Sequence, residues 1–409
     1  MKVAVVARSA FPLHGYGGLE RHVYDLVRAL ADRDVEVTLI TRDPSKGHPT
    51  TIDPRVHLEF LPYRTFPLAG RRGTTVLDRS TAYPMFGMRA GRRALELVTA
   101  GRADLVHGFG ASVLGYARNR YHVKAPLVLN PQGLEEFGAT DPSRARLKRA
   151  MYLPLRRAVL ACAAAADAVI ATDRSLEPVV LAHLKIPAER LRTIPNALDV
   201  PAVDALTDAS VVSELRRRFE IAPDEVVLFS AGRLEENKGF HVLLRALSAG
   251  REHGGLAERS WRWFCAGDGP YRSRLEALVS SLSLGERVRL LGRIPDAEMH
   301  AWHEVATLFV HPTLYEGSSL VTLEAMAHRR AVVASKAGGL PDKVRPGING
   351  WLVPAGDASA LAAALSGAIS DPDRLSRFGQ AGRTIVEQEF SWKSAGDRTV
   401  ALYQELLGR

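Results

Sequence analysis

Short continuous apolar runs alternate along this chain with longer stretches in which apolar residues recur every three or four positions. Residues 3–7 (Val-Ala-Val-Val-Ala) form the first run, as expected of a strand buried on both faces of a parallel sheet. A glycine-bearing loop, Gly15-Tyr16-Gly17-Gly18, follows. Leu19, Val23, Leu26, Val27 and Leu30 then mark one face of a helix over 19–31, and 35–40 reads as the next strand. Strand, loop, helix, strand predicts a right-handed βαβ unit. The rhythm continues through strands at 104–107, 127–129 and 168–171, and turn-forming residues at 195–199 close the series. After a helical stretch at 210–219 a second series begins. It has a strand at 226–229, a loop at Gly232 and a helix from Gly239-Phe240 to about Leu247. Strands at 263–266, 288–291, 308–310 and 331–334 follow. Two doubly wound α/β units therefore meet near residue 200, and 391–407 reads as a final helix.

Composition changes this picture little. A chain of 409 residues exceeds one ordinary core, and about 150 residues per domain suggests two or three. The amino-terminal apolar run stops at Arg8, whereas a signal peptide needs roughly 7–15 apolar residues and a membrane span about 20. The alanine-rich run at 161–166 is cut by Asp167. The expectation is a cytoplasmic protein without a spanning segment. Cys162 and Cys265 have no metal-ligand spacing and read as reduced, buried thiols.

Charge is distributed unevenly. Residues 1–195 carry 29 Lys/Arg against 18 Asp/Glu, and residues 196–409 carry 25 against 27. Basic residues gather at Arg71 and Arg72, at Arg89, Arg92 and Arg93, and along Arg144, Arg146, Lys148, Arg149, Arg156 and Arg157. Such a half can face anionic lipid, nucleic acid or an acidic substrate. The alternative is a solvated arginine-rich surface, in keeping with 45 Arg against 9 Lys. No zinc-finger spacing and no aromatic-basic ribonucleoprotein motif occurs, which argues against nucleic acid as a partner.

In open parallel sheets, ligands sit where strand ends meet helix N-termini, because free N–H groups and the helix dipole attract anions there. Three loops fit. Gly15-Tyr16-Gly17-Gly18-Leu19-Glu20 partly matches a dinucleotide fingerprint, with Glu20 in place of the last glycine; its glycines also suit a plain turn. Gly232-Arg233-Leu234-Glu235-Glu236-Asn237-Lys238-Gly239 puts two cations on one loop before a helix, an arrangement suited to a diphosphate, and it lacks the P-loop order. In Tyr315-Glu316-Gly317-Ser318-Ser319-Leu320, a small-residue loop enters a helix that carries Glu324 two turns on. Two carboxylates can accept hydrogen bonds from sugar hydroxyls, with the N–H groups of Ser318 and Ser319 toward phosphate. Exposed charge at helix starts is the competing reading of both loops.

Gly-Arg-Leu-x-x-x-Lys-Gly, Ala-Gly-Asp-Gly-Pro (266–270), Glu-x7-Glu, Gly-Gly-Leu-Pro-Asp and Gly-Ile-Asn-Gly (338–350) occur here in one order. Together they resemble family 4 of the retaining glycosyltransferases with the GT-B fold. The resemblance implies two Rossmann-like domains facing across a cleft. The acceptor-binding domain would span 1–198 and the nucleotide-sugar-binding domain 199–390, with 391–409 a helix packing back on the first. It implies that Arg233 and Lys238 grip the donor diphosphate, Glu324 the ribose and Glu316 the donor sugar. Gly232, Gly269, Ser318, Ser319 and Leu320 would line the donor site, Arg293 and Ile294 would border the base, and Gly17 and Gly18 would approach the phosphates. His107 occupies the first histidine of an Asp-x-x-His-x-His pattern whose second is Phe109; it is expected either on the acceptor side or as a structural strand-end histidine. Gln132 stands where many relatives have histidine.

The implied partners are a nucleotide-sugar donor and a glycan or lipid-linked acceptor, in cell-surface polysaccharide or glycolipid synthesis, with peripheral attachment to an anionic membrane. No cofactor or metal is expected, and the pairs Asp32/Asp34 and Asp371/Asp373 lie away from the site loops. The rivals are a sugar-nucleotide epimerase or phosphorylase of the same fold, a nicotinamide-dependent dehydrogenase, and a non-catalytic nucleotide-sugar-binding scaffold.

Overall fold

A computed structural model of the protein describes residues 1–15, 17–65, 74–131, 134–137, 150–250 and 255–408. The chain divides into two units, one of Met1–Asn196 with Trp392–Arg409, the other of Ala197–Ser391.

The first unit holds seven parallel strands: β1 (Lys2–Val6), β2 (Glu36–Arg42), β3 (Val56–Leu61), β4 (Leu105–Phe109), β5 (Leu127–Asn130), β6 (Ala168–Ala171) and β7 (Leu191–Thr193). Their order is β3-β2-β1-β4-β5-β6-β7. Val6 lies level with Ile40 on one side and Gly108 on the other, so the carboxyl ends of β1, β2 and β4 finish side by side. The second unit holds β8 (Val226–Ala231), β9 (Trp261–Ala266), β10 (Val288–Gly292), β11 (Leu308–His311), β12 (Val332–Ser335) and β13 (Gly350–Val353), in the order β10-β9-β8-β11-β12-β13. Central strands such as β4, β8 and β11 are buried along their whole length, as runs without polar alternation require.

Three strands, and among the helices the long Thr74–Thr99, were not legible in the pattern. β3 reads Val-His-Leu-Glu-Phe-Leu and lies at the sheet edge, where one face tolerates polar residues. β7 is only three residues long, and β13 opens on a glycine. The helix Thr74–Thr99 contains Pro84 and two glycines, Gly87 and Gly91, which weaken any propensity-based reading. Packing explains one of them: a Cβ on Gly87 would lie 1.9 Å from the Ala111 carbonyl oxygen, so only glycine lets this helix reach the turn after β4.

The carboxyl-terminal helix Trp392–Leu407 belongs to the first unit. Arg33 fixes its start, with Nε donating to Asp397 at 2.8 Å and Nη2 to the Lys393 carbonyl at 2.6 Å. The second unit's core is aromatic: Phe229, Phe264, Phe309, Trp261, Trp263 and Trp302 are fully buried. Fully burying one such side chain stabilises by about 1.5–3 kcal/mol.

Candidate functional site

Each sheet reverses its winding once, between β1 and β4 in the first unit and between β8 and β11 in the second. Loops leaving two strands at such a point diverge and leave a crevice.

In the second unit, the loop after β8 is laced to its neighbour. The Gly232 N–H donates to the Ala266 carbonyl (3.0 Å), Leu234 N–H to Asp268 (3.1 Å) and Tyr271 N–H back to Leu234 (3.0 Å). Leu234 is buried, which turns Arg233 outward, where its Nε pairs with Glu235 at 2.9 Å. Gly269 belongs to the bracing loop, its N–H bonded to Asp268 Oδ1 at 2.8 Å. Lys238 ends a short 3-10 turn, Glu236–Lys238. Gly239 follows with φ +68, and a Cβ there would lie 1.9 Å from the Pro312 carbonyl oxygen. Only glycine permits that approach. It presses the loops after β8 and β11 together, and Leu314 N–H and Thr313 Oγ1 both donate to the Asn237 carbonyl (2.7 and 3.0 Å).

This contact joins residues 78 positions apart. Lys238 Nζ donates to Glu316 Oε2 at 2.8 Å, and His311 Nε2 reaches the same oxygen at 2.8 Å. The Gly317 N–H donates to Oε1 at 3.2 Å. Burial alone would push the Glu316 carboxyl up; the His311 hydrogen bond and the Lys238 ammonium outweigh it and bring it down to about 2. Glu316 therefore stays ionised and pinned beside the start of two helices, Phe240–Gly250 and Leu320–Ala327.

Ser319 caps the second of these helices, its Oγ accepting from the Thr322 N–H. Ser318 Oγ accepts from the buried Lys343 at 3.1 Å. Both hydroxyls are thus engaged within the protein, while Leu320 opens the helix. Glu324 lies on the same helix, its Oε2 3.9 Å from Nε2 of His303, a fully buried ring with no hydrogen-bond partner on either nitrogen. Burial holds that ring neutral. Arg293 is exposed just past β10, and Ile294 packs partly on the core. His311, Lys343 and His303 were missed in the sequence. His311 offered one signal, as a histidine closing an apolar strand five residues before Glu316.

Gly17, Gly18 and His107 lie in the first unit. Gly17 is the N-cap of the helix Gly18–Ala31, and Glu20 in its first turn accepts from Ser9 Oγ at 2.8 Å. The acceptor-side expectation for His107 is not met here. The ring is 1% exposed, stacks on Phe109 and has Nδ1 2.5 Å from the Tyr403 hydroxyl. Burial, with His22 adding to it, lowers its pKa to about 3, so this imidazole is neutral and serves packing.

Two members of the basic clusters are engaged within the first unit, while Arg92 and Arg157 are exposed. The Arg156 guanidinium faces the Phe137 ring at 5.2 Å, and Arg93 pairs with Glu59 and Glu96. Neither is a free surface charge. Tyr16, Arg71, Arg72, Gln132, Gly133, Arg144, Arg146, Lys148 and Arg149 lie outside the described residues. Asp32 pairs with Arg55, and Asp371 caps a helix by accepting from the Arg374 N–H. Both cysteines are buried and unpaired. No helix among the described residues is long and apolar enough to cross a membrane, and no three metal-ligating side chains among them converge.

Two doubly wound units, one with a charged, helix-flanked crevice at its switch point, define a two-domain α/β protein. Residues 16–201 match the family described as Glycosyltransferase Family 4, and residues 211–385 the family described as Glycosyl transferases group 1. The chain belongs to these glycosyltransferases and has their two-domain GT-B fold. A D-inositol 3-phosphate glycosyltransferase of Catenulispora acidiphila is 32% identical over 250 residues, 60% of this chain and 58% of that one. The alpha-maltose-1-phosphate synthase of Mycolicibacterium smegmatis is 28% identical over 99% of this chain and 100% of its own. Among solved structures, the sucrose-phosphate synthase of Thermosynechococcus elongatus has a TM-score of 0.78 at 24% identity, covering 100% of this chain and 99% of that one. Anabaena HepE in complex with UDP-glucose has a TM-score of 0.69 at 21% identity, covering 99% and 100%. The structural likenesses establish the fold.

Proposed function

We propose that this glycosyltransferase moves a sugar from a nucleoside-diphosphate sugar to a hydroxyl acceptor with retention of anomeric configuration. The observation that carries the reading is the Lys238–Glu316 pair across the β8/β11 crevice, because it places one cation and one sugar-sized acceptor of hydrogen bonds at paired helix N-termini. HepE, of the same fold, binds UDP-glucose, which makes UDP-sugars the first donors to try. Arg233 and Lys238 would grip the diphosphate, Glu324 the ribose hydroxyls and Glu316 the sugar. Gly232, Gly269, Ser318, Ser319 and Leu320 would supply backbone around them, and Arg293 and Ile294 would border the base.

In this reading the acceptor oxygen bonds to the anomeric carbon on the face from which the diphosphate departs. Its proton passes to the departing phosphate oxygen, so no protein base is needed. The protein neutralises the charge growing on that oxygen, and this is where Arg233, Lys238 and the helix N-termini act. Metal is not required by such a mechanism. Incubating the purified chain with UDP-, GDP- and ADP-sugars and an acceptor panel tests it. Glycoside of unchanged anomeric configuration should form, also with chelator present. Inverted product would overturn retention, and neither transfer nor donor hydrolysis from any donor would overturn the enzyme reading.

The names of two relatives state phosphorylated molecules, inositol 3-phosphate and maltose-1-phosphate. A lipid-linked glycan at an anionic membrane remains part of the proposal through the basic first half. Sedimentation with anionic vesicles at low salt tests it, and failure to bind would remove the membrane from the account.

A further inference from the structure

The first unit has its own crevice at the end of β1 and β4, and its electrostatics differ from those described above. Arg8 follows β1 and Arg42 ends β2, two strands that lie side by side. The Arg8 guanidinium sits over the Tyr83 ring at 5.1 Å, and the Tyr83 hydroxyl donates to the carbonyl of Phe109, the last residue of β4, at 2.7 Å. Arg8 is thereby held at the switch point. The Arg42 guanidinium sits over the Tyr63 ring at 5.6 Å, and the Tyr63 hydroxyl, which feels the Arg8 charge, donates to Asp78 Oδ2 at 3.2 Å.

Neither guanidinium is neutralised by contact. Among the described residues no carboxylate forms an ion pair with Arg8 or Arg42, although Glu20 and Asp78 act on Arg42 from further away. The Nε atoms of both are buried and have no hydrogen-bond partner. Burial, reinforced by the Arg8 charge, holds Arg42 below the ordinary arginine range. Two like charges kept together on a low-dielectric wall are unfavourable until a counter-charge arrives. Paired planar forks match the oxygens of a phosphate, whose charge of about −1.5 to −2 balances both.

We propose that Arg8 and Arg42, framed by Tyr63 and Tyr83, form a binding subsite for a phosphate monoester carried by the acceptor. The word acceptor rests on the transferase reading; the anion site itself does not. Two guanidiniums favour phosphate over a carboxylate, which would leave one positive charge unmatched.

Titration calorimetry on the full chain tests this with inorganic phosphate, glucose 6-phosphate, glucuronate and glucose as probes. Phosphate and glucose 6-phosphate should bind and glucose should not. Arg8→Gln and Arg42→Gln should each weaken that binding about tenfold or more. UDP binding, followed in the same variants, should stay unchanged. Arg8→Lys and Arg42→Lys keep the charge, should bind better than the glutamine variants, and serve wherever a glutamine variant fails to fold. Absence of phosphate and glucose 6-phosphate binding, or equal binding by wild type and variants, would overturn the subsite. Glucuronate binding in place of the phosphates would overturn the phosphate assignment. Loss of UDP binding to the wild type would count against the donor reading and leave the subsite standing on its own titration.

Discussion

The two units wind their sheets in the same order and treat their switch points in opposite ways. In the second unit the crevice is spanned by a closed polar set: Lys238 and His311 converge on one oxygen of Glu316. In the first, Arg8 lies over Tyr83 and Arg42 over Tyr63, and among the described residues no carboxylate forms an ion pair with either. A common fold thus fixes where ligands approach but not which charges meet them. In the proposed reading the second crevice takes a donor's sugar hydroxyls at Glu316, with Arg233 and Lys238 toward its diphosphate. The first suits an anion.

Substitution in the second crevice should produce the largest effect. Lys238→Ala is expected to lower turnover by about 10²-fold or more with the fold intact, as removal of a charge stabiliser typically does. Near-full activity would mean that the crevice contrast has no bearing on the chemistry. The two glutamates sharpen the same point with a smaller, split effect. Glu324→Ala should weaken binding of free nucleoside diphosphate by roughly tenfold, whereas Glu316→Ala should leave it nearly unchanged and impair transfer. Equal losses by calorimetry would dissolve the ribose and sugar assignments.

Acid tests the Lys238–Glu316 pair as well. The Glu316 carboxyl is depressed from its ordinary 4.5 to about 2. A carboxylate shifted downward contributes stability that is fully present above pH 4.5 and is lost as pH falls through about 2. Denaturant midpoints between pH 6 and pH 2 should therefore fall less in Glu316→Gln than in the wild type. Matching slopes would show that the pair is not formed in solution. The smallest effect belongs to the first unit. Tyr403→Phe should cost about 1–2 kcal/mol, since it leaves buried His107 Nδ1 without its hydrogen-bond partner, and should not change nucleotide binding. A change in nucleotide affinity in that variant would restore His107 to the active site.

Much of this was legible in the sequence. Fully buried strands announce themselves as unbroken apolar runs, and β1, β4, β8 and β11 were placed within a residue or two. Edge strands carry no such mark: β3 mixes Glu59 and His57 into its run because one side of it has no neighbouring strand. Lys238 and Glu316 were recognisable because each sits in a short motif. Their contact was not, since it depends on Gly239 reaching Pro312 across the switch point. Arg8 and Arg42 belong to no motif at all. They meet only because β1 and β2 are in register, and a pairing across 34 positions leaves no local signature. His107 erred the other way: a familiar spacing suggested a site residue, and Tyr403, nearly 300 residues later, had already enclosed it.

The account stands on a donor diphosphate at the β8/β11 crevice, and thermal unfolding with UDP, GDP and ADP measures that directly. A nucleotide present at about 100 times its dissociation constant stabilises by about 2.7 kcal/mol. At least one of the three should raise the melting temperature of the wild type, and the rise should vanish or shrink sharply in Lys238→Ala. No shift with any nucleotide, or an undiminished shift in the variant, would contradict it.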